Sequence, residues 1–193
     1  MLPEIDRILI DRERISQRVH EMGEQLAKDL SEAVRTDGHD PLAHPDRVVM
    51  VPILTGAMVF AADLIRAMPM KLSLRLVTVS SYPGQSTESK GAAMRSALPA
   101  DLADRHVVLI DDILDTGSTL KLVSDLVAEQ SPASIRCCVL LDKPDRRQHD
   151  IRCDYNGFSI PDEFVVGYGL DYDGFYRNLP DIVALRPDAF RAG

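Results

Sequence analysis

Residues 107–120 read VVLIDDILDTGSTL. An apolar strand at residues 107–110 runs into two acids, Asp111 and Asp112. A third acid, Asp115, opens the turn Thr116, Gly117, Ser118, Thr119, and an amphipathic helix follows over residues 120–129. In open α/β sheets ligands bind beyond the carboxyl ends of the strands, where this turn falls. Small residues let the backbone curl so that its N–H groups face one point at the start of the helix. The hydroxyls of Thr116, Ser118 and Thr119 add donors, and the helix dipole acts in the same sense, making a cradle for a phosphate. Each residue alone has a plainer explanation: Asp115 or Thr116 could cap the helix, and the other acids could be solvated. Two acids, a third acid and then TGST point together to a ligand. Unpaired carboxylates after a buried strand are costly, whereas hydroxyl-rich ligands and Mg²⁺ need such oxygen acceptors. The stretch has neither the GxxxxGK[ST] of a Walker loop nor GxGxxG, which excludes those nucleotide-binding readings.

Outward from this motif, strands alternate with helices. Apolar residues at Ile15, Val19, Met22, Leu26, Leu30 and Val34 make a helical stripe. Residues 48–54 read as a buried strand, Thr55-Gly56 as a turn and residues 57–67 as the helix after it. Residues 72–80 alternate like a strand, residues 135–141 form another apolar strand, and residues 164–168 a short one. Such alternation implies a mostly parallel sheet covered on both faces. From Tyr82 to Arg105 the chain is polar with little periodicity, which marks a long functional loop or a tolerated surface insertion.

The chain has 193 residues, 45% hydrophobic and 27% charged, the composition of an ordinary globular domain. Its formal charge of −8 disfavours nucleic acid or anionic membrane as a main partner. The cysteines, Cys137, Cys138 and Cys153, are odd in number and lack a CxxC spacing, so neither a disulfide framework nor a zinc site is indicated. The N-terminal stretch MLPEIDRILIDRERIS has no apolar core of a signal peptide, and the longest apolar stretch is too short to span a membrane. A reduced, soluble, cytoplasmic protein is expected.

The stretch at 107–120 resembles the phosphoribosyl-pyrophosphate (PRPP) binding motif of type I phosphoribosyltransferases. LTG at 54–56, SSY at 80–82, LLDKP at 140–144 and GFSIPDEFVVGYGLDY at 157–172, followed by Arg177, narrow the resemblance to the hypoxanthine-guanine phosphoribosyltransferases. It covers residues 48 to 179, with the motifs in family order. The resemblance implies the type I phosphoribosyltransferase fold, an α/β architecture with a parallel sheet of about five strands flanked by helices. It implies one domain over residues 1–193, with a core at about 40–150 and a small hood from about 1–20 and 150–193. The implied reaction is Mg²⁺-dependent purine salvage. A 6-oxopurine, hypoxanthine and with it guanine, and PRPP give the nucleoside monophosphate (IMP or GMP) and pyrophosphate. A homodimer or homotetramer is implied as well.

By the same resemblance, Asp111 and Asp112 hold the ribose hydroxyls and Mg²⁺, and Asp115 is the general base facing N7 of the purine. Residues Thr116, Gly117, Ser118 and Thr119 hold the 5′-phosphate. Ile113, Lys143, Phe164, Val165 and Asp171 form the purine site. Lys143 donates to the 6-oxo group, Phe164 stacks on the ring, and Asp171 binds a second Mg²⁺. Thr55, Gly56 and Arg177 meet pyrophosphate, and a loop beginning at Ser81 and Tyr82 closes over the reaction centre. Taken alone, a lysine after a strand is ordinarily a surface residue and a Phe in FVV ordinarily core. This sequence departs from the family at Asp111, where Glu is common, at Ser118, where some relatives carry Lys, and at Thr55, where many carry Lys or Arg. Two alternatives remain open at this point. One is a PRPP-binding transcriptional regulator without turnover, disfavoured by the absence of a basic face. The other is a xanthine-preferring transferase; Lys143 argues against adenine.

Overall fold

The apolar run at residues 48–54 is a strand of that extent, and a computed structural model, which describes residues 2–80 and 93–190, builds a sheet around it. In chain order the elements are β1 (Ile5–Ile10), α1 (Arg12–Thr36), β2 (Val48–Leu54), α2 (Met58–Arg66), β3 (Ser73–Leu74), β4 (Val77–Ser80) and β5 (Ala93–Met94). Then come β6 (His106–Leu114), α3 (Ser118–Ala128), β7 (Ser134–Asp142), β8 (Tyr155–Ser159), β9 (Val165–Val166), β10 (Ile182–Leu185) and α4 (Pro187–Phe190). The main sheet has the order β5-β4-β2-β6-β7-β8, with β3 also on β2. Its pairings are parallel except that of β5 with β4, so the expected parallel sheet carries one antiparallel edge.

Alternation along β6 divides the core. Val108 and Ile110 pack with α1 and α2 on one face, whereas Val107 and Leu109 meet Leu120, Val123 and Val127 of α3 on the other. The stripe on α1 is buried throughout, and each such side chain contributes about 1.5–3 kcal/mol. Asp11 caps this helix by accepting from the Arg14 N–H at 2.9 Å.

Three expectations need correction. The strand at 107–110 does not end before the acids. β6 continues to Leu114, with Asp111 opposite Val139 and Ile113 opposite Leu141, because β7 extends far enough to pair with it. Residues 72–80 form two strands in one register, since Met50 faces Leu74 and Ile53 faces Val77. The Met50 carbonyl accepts from Arg75 N, so this side of β2 faces β3 and β4, and two residues on Pro52 has no N–H to continue the ladder. Finally, the strand expected over 164–168 is only Val165–Val166.

A separate antiparallel sheet, β1-β10-β9, joins the two ends of the chain. Its small core is Ile5, Val166, Val183 and Leu185. Among the described residues no helix is long and apolar enough to cross a membrane. Cys137, Cys138 and Cys153 are free thiols.

Candidate active site

A cleft of about 930 Å³ opens at the carboxyl ends of β2, β6 and β7. Every sequence-predicted site residue that the structure describes lines it: Thr55, Gly56, Asp111, Asp112, Ile113, Asp115, Thr116, Gly117, Ser118, Thr119, Lys143, Phe164, Val165, Asp171 and Arg177. Ser81 and Tyr82 lie outside the described residues.

At the cradle, Gly117 caps α3 with φ of +90°, a left-handed conformation that a side chain would strain. The Thr116 and Ser118 hydroxyls lie 3.0 Å apart, and the Thr116 carbonyl accepts from the N–H groups of Gln148 and His149. The turn is therefore tied to residues 148 and 149, the Ser118 N–H donates to the Thr116 hydroxyl at 3.4 Å, and the start of α3 lines the cleft. The geometry suits a tetrahedral anion.

Ile110 and Ile113 pack on the same face of the sheet, so the alternation along β6 breaks at the two acids, and Asp111 and Asp112 both line the cleft. Asp111 is 7% exposed and one of its oxygens accepts from the Asp112 N–H at 3.1 Å. Burial first, and the neighbouring Asp112 charge second, push its carboxyl well above the usual range. Burial also raises Asp112, against hydrogen bonds with Asp111 and from the Ile113 N–H and a smaller pull from Arg177. Such a pair suits a hard cation or a set of hydroxyl donors. Among the described residues no three His, Cys, Asp or Glu side chains are grouped to hold a metal unaided. A Mg²⁺ ion here would take one or two carboxylates and complete its shell from ligand and water, its usual habit.

The turn after β2 comes close to this pair. The Leu54–Thr55 peptide is cis, and a Cβ built on Gly56 would sit 1.9 Å from Asp112 Oδ2. On the other side, Lys143 follows β7, is 8% exposed, and its backbone N–H donates to the Leu114 carbonyl at 3.0 Å. Its ammonium nitrogen is 3.7 Å from Asp162 Oδ1. Phe164 is not core; it stands 38% exposed at the cleft, edge-on to Tyr172 with ring centres 5.4 Å apart. Asp171 accepts from the Gly174 N–H at 2.8 Å and pairs with Arg177 at 2.7 Å, while Arg177 also donates to the Gly169 carbonyl at 2.6 Å.

Sequence reasoning missed Thr78, Arg95, Arg146 and Asp162, which line the same cleft. Arg146 stands three residues beyond Lys143, and the 3-10 turn Pro144–Arg146 brings it back to the site. Asp162 sits inside the quoted GFSIPDEF stretch, so both were within reach. Arg95, in a polar segment without periodicity, gave no signal.

A carboxyl-end cleft with a Thr/Ser/Gly turn at a helix start and a buried acid pair defines the class, and the sequence profile of the phosphoribosyl transferase domain matches residues 18–173. A hypoxanthine-guanine phosphoribosyltransferase of Mycobacterium tuberculosis is 39% identical over 97% of this chain and 90% of its own length. A solved hypoxanthine phosphoribosyltransferase of Staphylococcus aureus superimposes with a TM-score of 0.84 at 39% identity, covering 97% of this chain and 95% of that one. A Trypanosoma cruzi hypoxanthine phosphoribosyltransferase variant, solved with the product IMP, gives 0.84 at 33% identity, covering 98% and 95%. This chain belongs to the hypoxanthine-guanine phosphoribosyltransferase family.

Proposed function

We propose that the protein transfers the 5-phosphoribosyl group of PRPP to N9 of hypoxanthine, and of guanine, releasing IMP or GMP and pyrophosphate in purine salvage. One observation carries this: residues scattered from position 55 to 177 converge on a single cleft in a chain of this family. The IMP bound to the T. cruzi relative supports the same product class.

In this reading the turn from Thr116 to Thr119 holds the 5′-phosphate, and Asp111 and Asp112 accept from the ribose 2′ and 3′ hydroxyls. The purine lies between Phe164 and Ile113, with Val165 at its edge and Lys143 donating to the 6-oxo oxygen. Asp115 takes the proton from N7 as the N9 electron pair forms the bond to ribose C1. The C1–O bond breaks and its electron pair leaves with pyrophosphate, which the Thr55-Gly56 turn and Arg177 receive. Mg²⁺, held by Asp111 and Asp112 with a second ion at Asp171, would offset charge on the leaving group. The sheet β1-β10-β9, from which β9 carries Val165, serves as the hood over the base. By the family resemblance, the segment beginning at Ser81 and Tyr82, outside the described residues, has the role of excluding water from the reacting ribose. Assembly as a homodimer or homotetramer and a cytoplasmic setting belong to the same reading, the free thiols fitting a reducing compartment.

The test is turnover with PRPP and Mg²⁺ and each of hypoxanthine, guanine, xanthine and adenine in parallel, with and without EDTA. Nucleotide should form from hypoxanthine and guanine and stop on chelation. No nucleotide from any base would sink the enzyme reading, preference for adenine the role of Lys143, and turnover in EDTA the role of Mg²⁺.

A further inference from the structure

PRPP is anionic at both ends, so the cations of the cleft bear on how each end is held. Among the described residues, Arg95, Lys143, Arg146 and Arg177 line it. Lys143 faces Asp162 at 3.7 Å, and Arg146 faces Asp115 at 3.1 Å and Asp162 at 3.6 Å. Arg177 is engaged by Asp171 and by the Gly169 carbonyl, at 2.7 and 2.6 Å. Only Arg95 has no carboxylate within ion-pairing distance among the described residues, and its side chain is exposed to the cleft mouth.

Its position is set by the sheet. The Arg95 backbone N–H donates to the Thr78 carbonyl at 2.8 Å, and Thr78 is paired with Leu54, the residue before the Thr55-Gly56 turn. Arg95 thus stands two strand spacings, about 10 Å, from that turn, a gap that an arginine and a pyrophosphate can close between them. Along the sheet order the sequence of groups is Arg95, Thr78, Thr55-Gly56 and then the acids and cradle of β6. Arg95, without a carboxylate partner among the described residues, therefore flanks the turn assigned to pyrophosphate on the side away from the 5′-phosphate cradle. The turn itself offers no charge, since position 55 is Thr.

We infer that Arg95 binds the pyrophosphate group of PRPP, supplying from the sheet edge the cation that position 55 lacks; the inference rests on the proposed function. A guanidinium free of a carboxylate gives charge-assisted, bidentate contacts to phosphate oxygens without first breaking an ion pair.

The test compares wild type with R95Q, R95K and R95Q/T55K by steady-state kinetics in both directions and by calorimetric titration of inorganic pyrophosphate with Mg²⁺. R95Q should raise KM for PRPP and for pyrophosphate by about ten- to hundredfold and weaken the pyrophosphate titration equally. KM for hypoxanthine should stay within about threefold, because the purine site is untouched. R95K should recover most of the loss, and T55K should recover part of it in the R95Q background. A merely structural role would not be rescued by a charge placed on another strand. Unchanged PRPP and pyrophosphate constants in R95Q would overturn the inference even where wild type turns over. If wild type forms no nucleotide yet R95Q weakens the pyrophosphate titration, the transfer reading fails and the anion site stands.

Discussion

Arg146 Nε lies 3.1 Å from Asp115 Oδ1, and the same guanidinium reaches Asp162 at 3.6 Å. The carboxylate proposed to receive the purine proton is thus already paired with a cation of the cleft. Both side chains are more than a third exposed, at 46% and 38%, so the pair holds weakly and a purine can displace it cheaply. D115N should therefore lower kcat by about 10²–10⁴-fold, the loss of a general base, whereas R146Q should stay within severalfold of wild type. Single-turnover rates with PRPP and hypoxanthine check both. Wild-type rates in D115N would remove Asp115 from the mechanism.

Gly56 and Asp112 are in similarly close contact. A methyl on Gly56 would meet Asp112 Oδ2 at 1.9 Å and its Cγ at 2.5 Å, and this carboxylate is hydrogen-bonded to the Ile113 N–H. It cannot swing aside without breaking that bond. G56A should cost about 1–3 kcal/mol of stability through overpacking, seen as a lower Tm. It should also raise KM for PRPP tenfold or more, while KM for hypoxanthine changes little. An unaltered KM for PRPP would show that the turn and the acid do not work as one surface.

These contacts also show how far sequence could reach. Strand 48–54 and the stripe on α1 were legible because burial imposes a local period that a few residues display. The extension of β6 through Asp111 and Asp112 was not, because polar residues mask a strand whose length is set by its partner β7. Nor was β1, whose pairing with β10 joins residues 5 and 185 and leaves no local trace. The cradle and acids could be named from one stretch. Arg95 could not, since its relation to the site comes from an edge pairing with Thr78 rather than from any pattern around it.

Lys143 is 8% exposed, its ammonium facing Asp162, whose side chain is 53% exposed. Removing the charge strands no buried partner, since water can solvate Asp162. K143M should then fold, and its effect should fall on recognition. A site built around one hydrogen bond to the substrate can discriminate by 10⁴-fold or more. The ratio of kcat/KM for hypoxanthine over adenine should drop by about a hundredfold or more in K143M. A ratio equal to that of wild type would place 6-position specificity elsewhere.

Far from the cleft, His106 opens β6 at 3% exposure, with Nδ1 2.9 Å from the Ser134 hydroxyl and Nε2 3.1 Å from Asp37 Oδ2. Burial lowers its pKa below the usual 6.5; Asp37 favours the charged form but is outweighed, and Arg136 and Arg47 add to the lowering. As pH falls through 6.5 the unfolded chain therefore takes up a proton that the folded chain refuses. Stability is fully present above that value and is lost as pH drops toward the folded pKa. The urea midpoint should fall between pH 7.5 and 5.5, and H106N, which keeps a polar partner for Ser134, should show a smaller fall over the same interval. If the two proteins lose equal stability across it, the proton uptake belongs to another group.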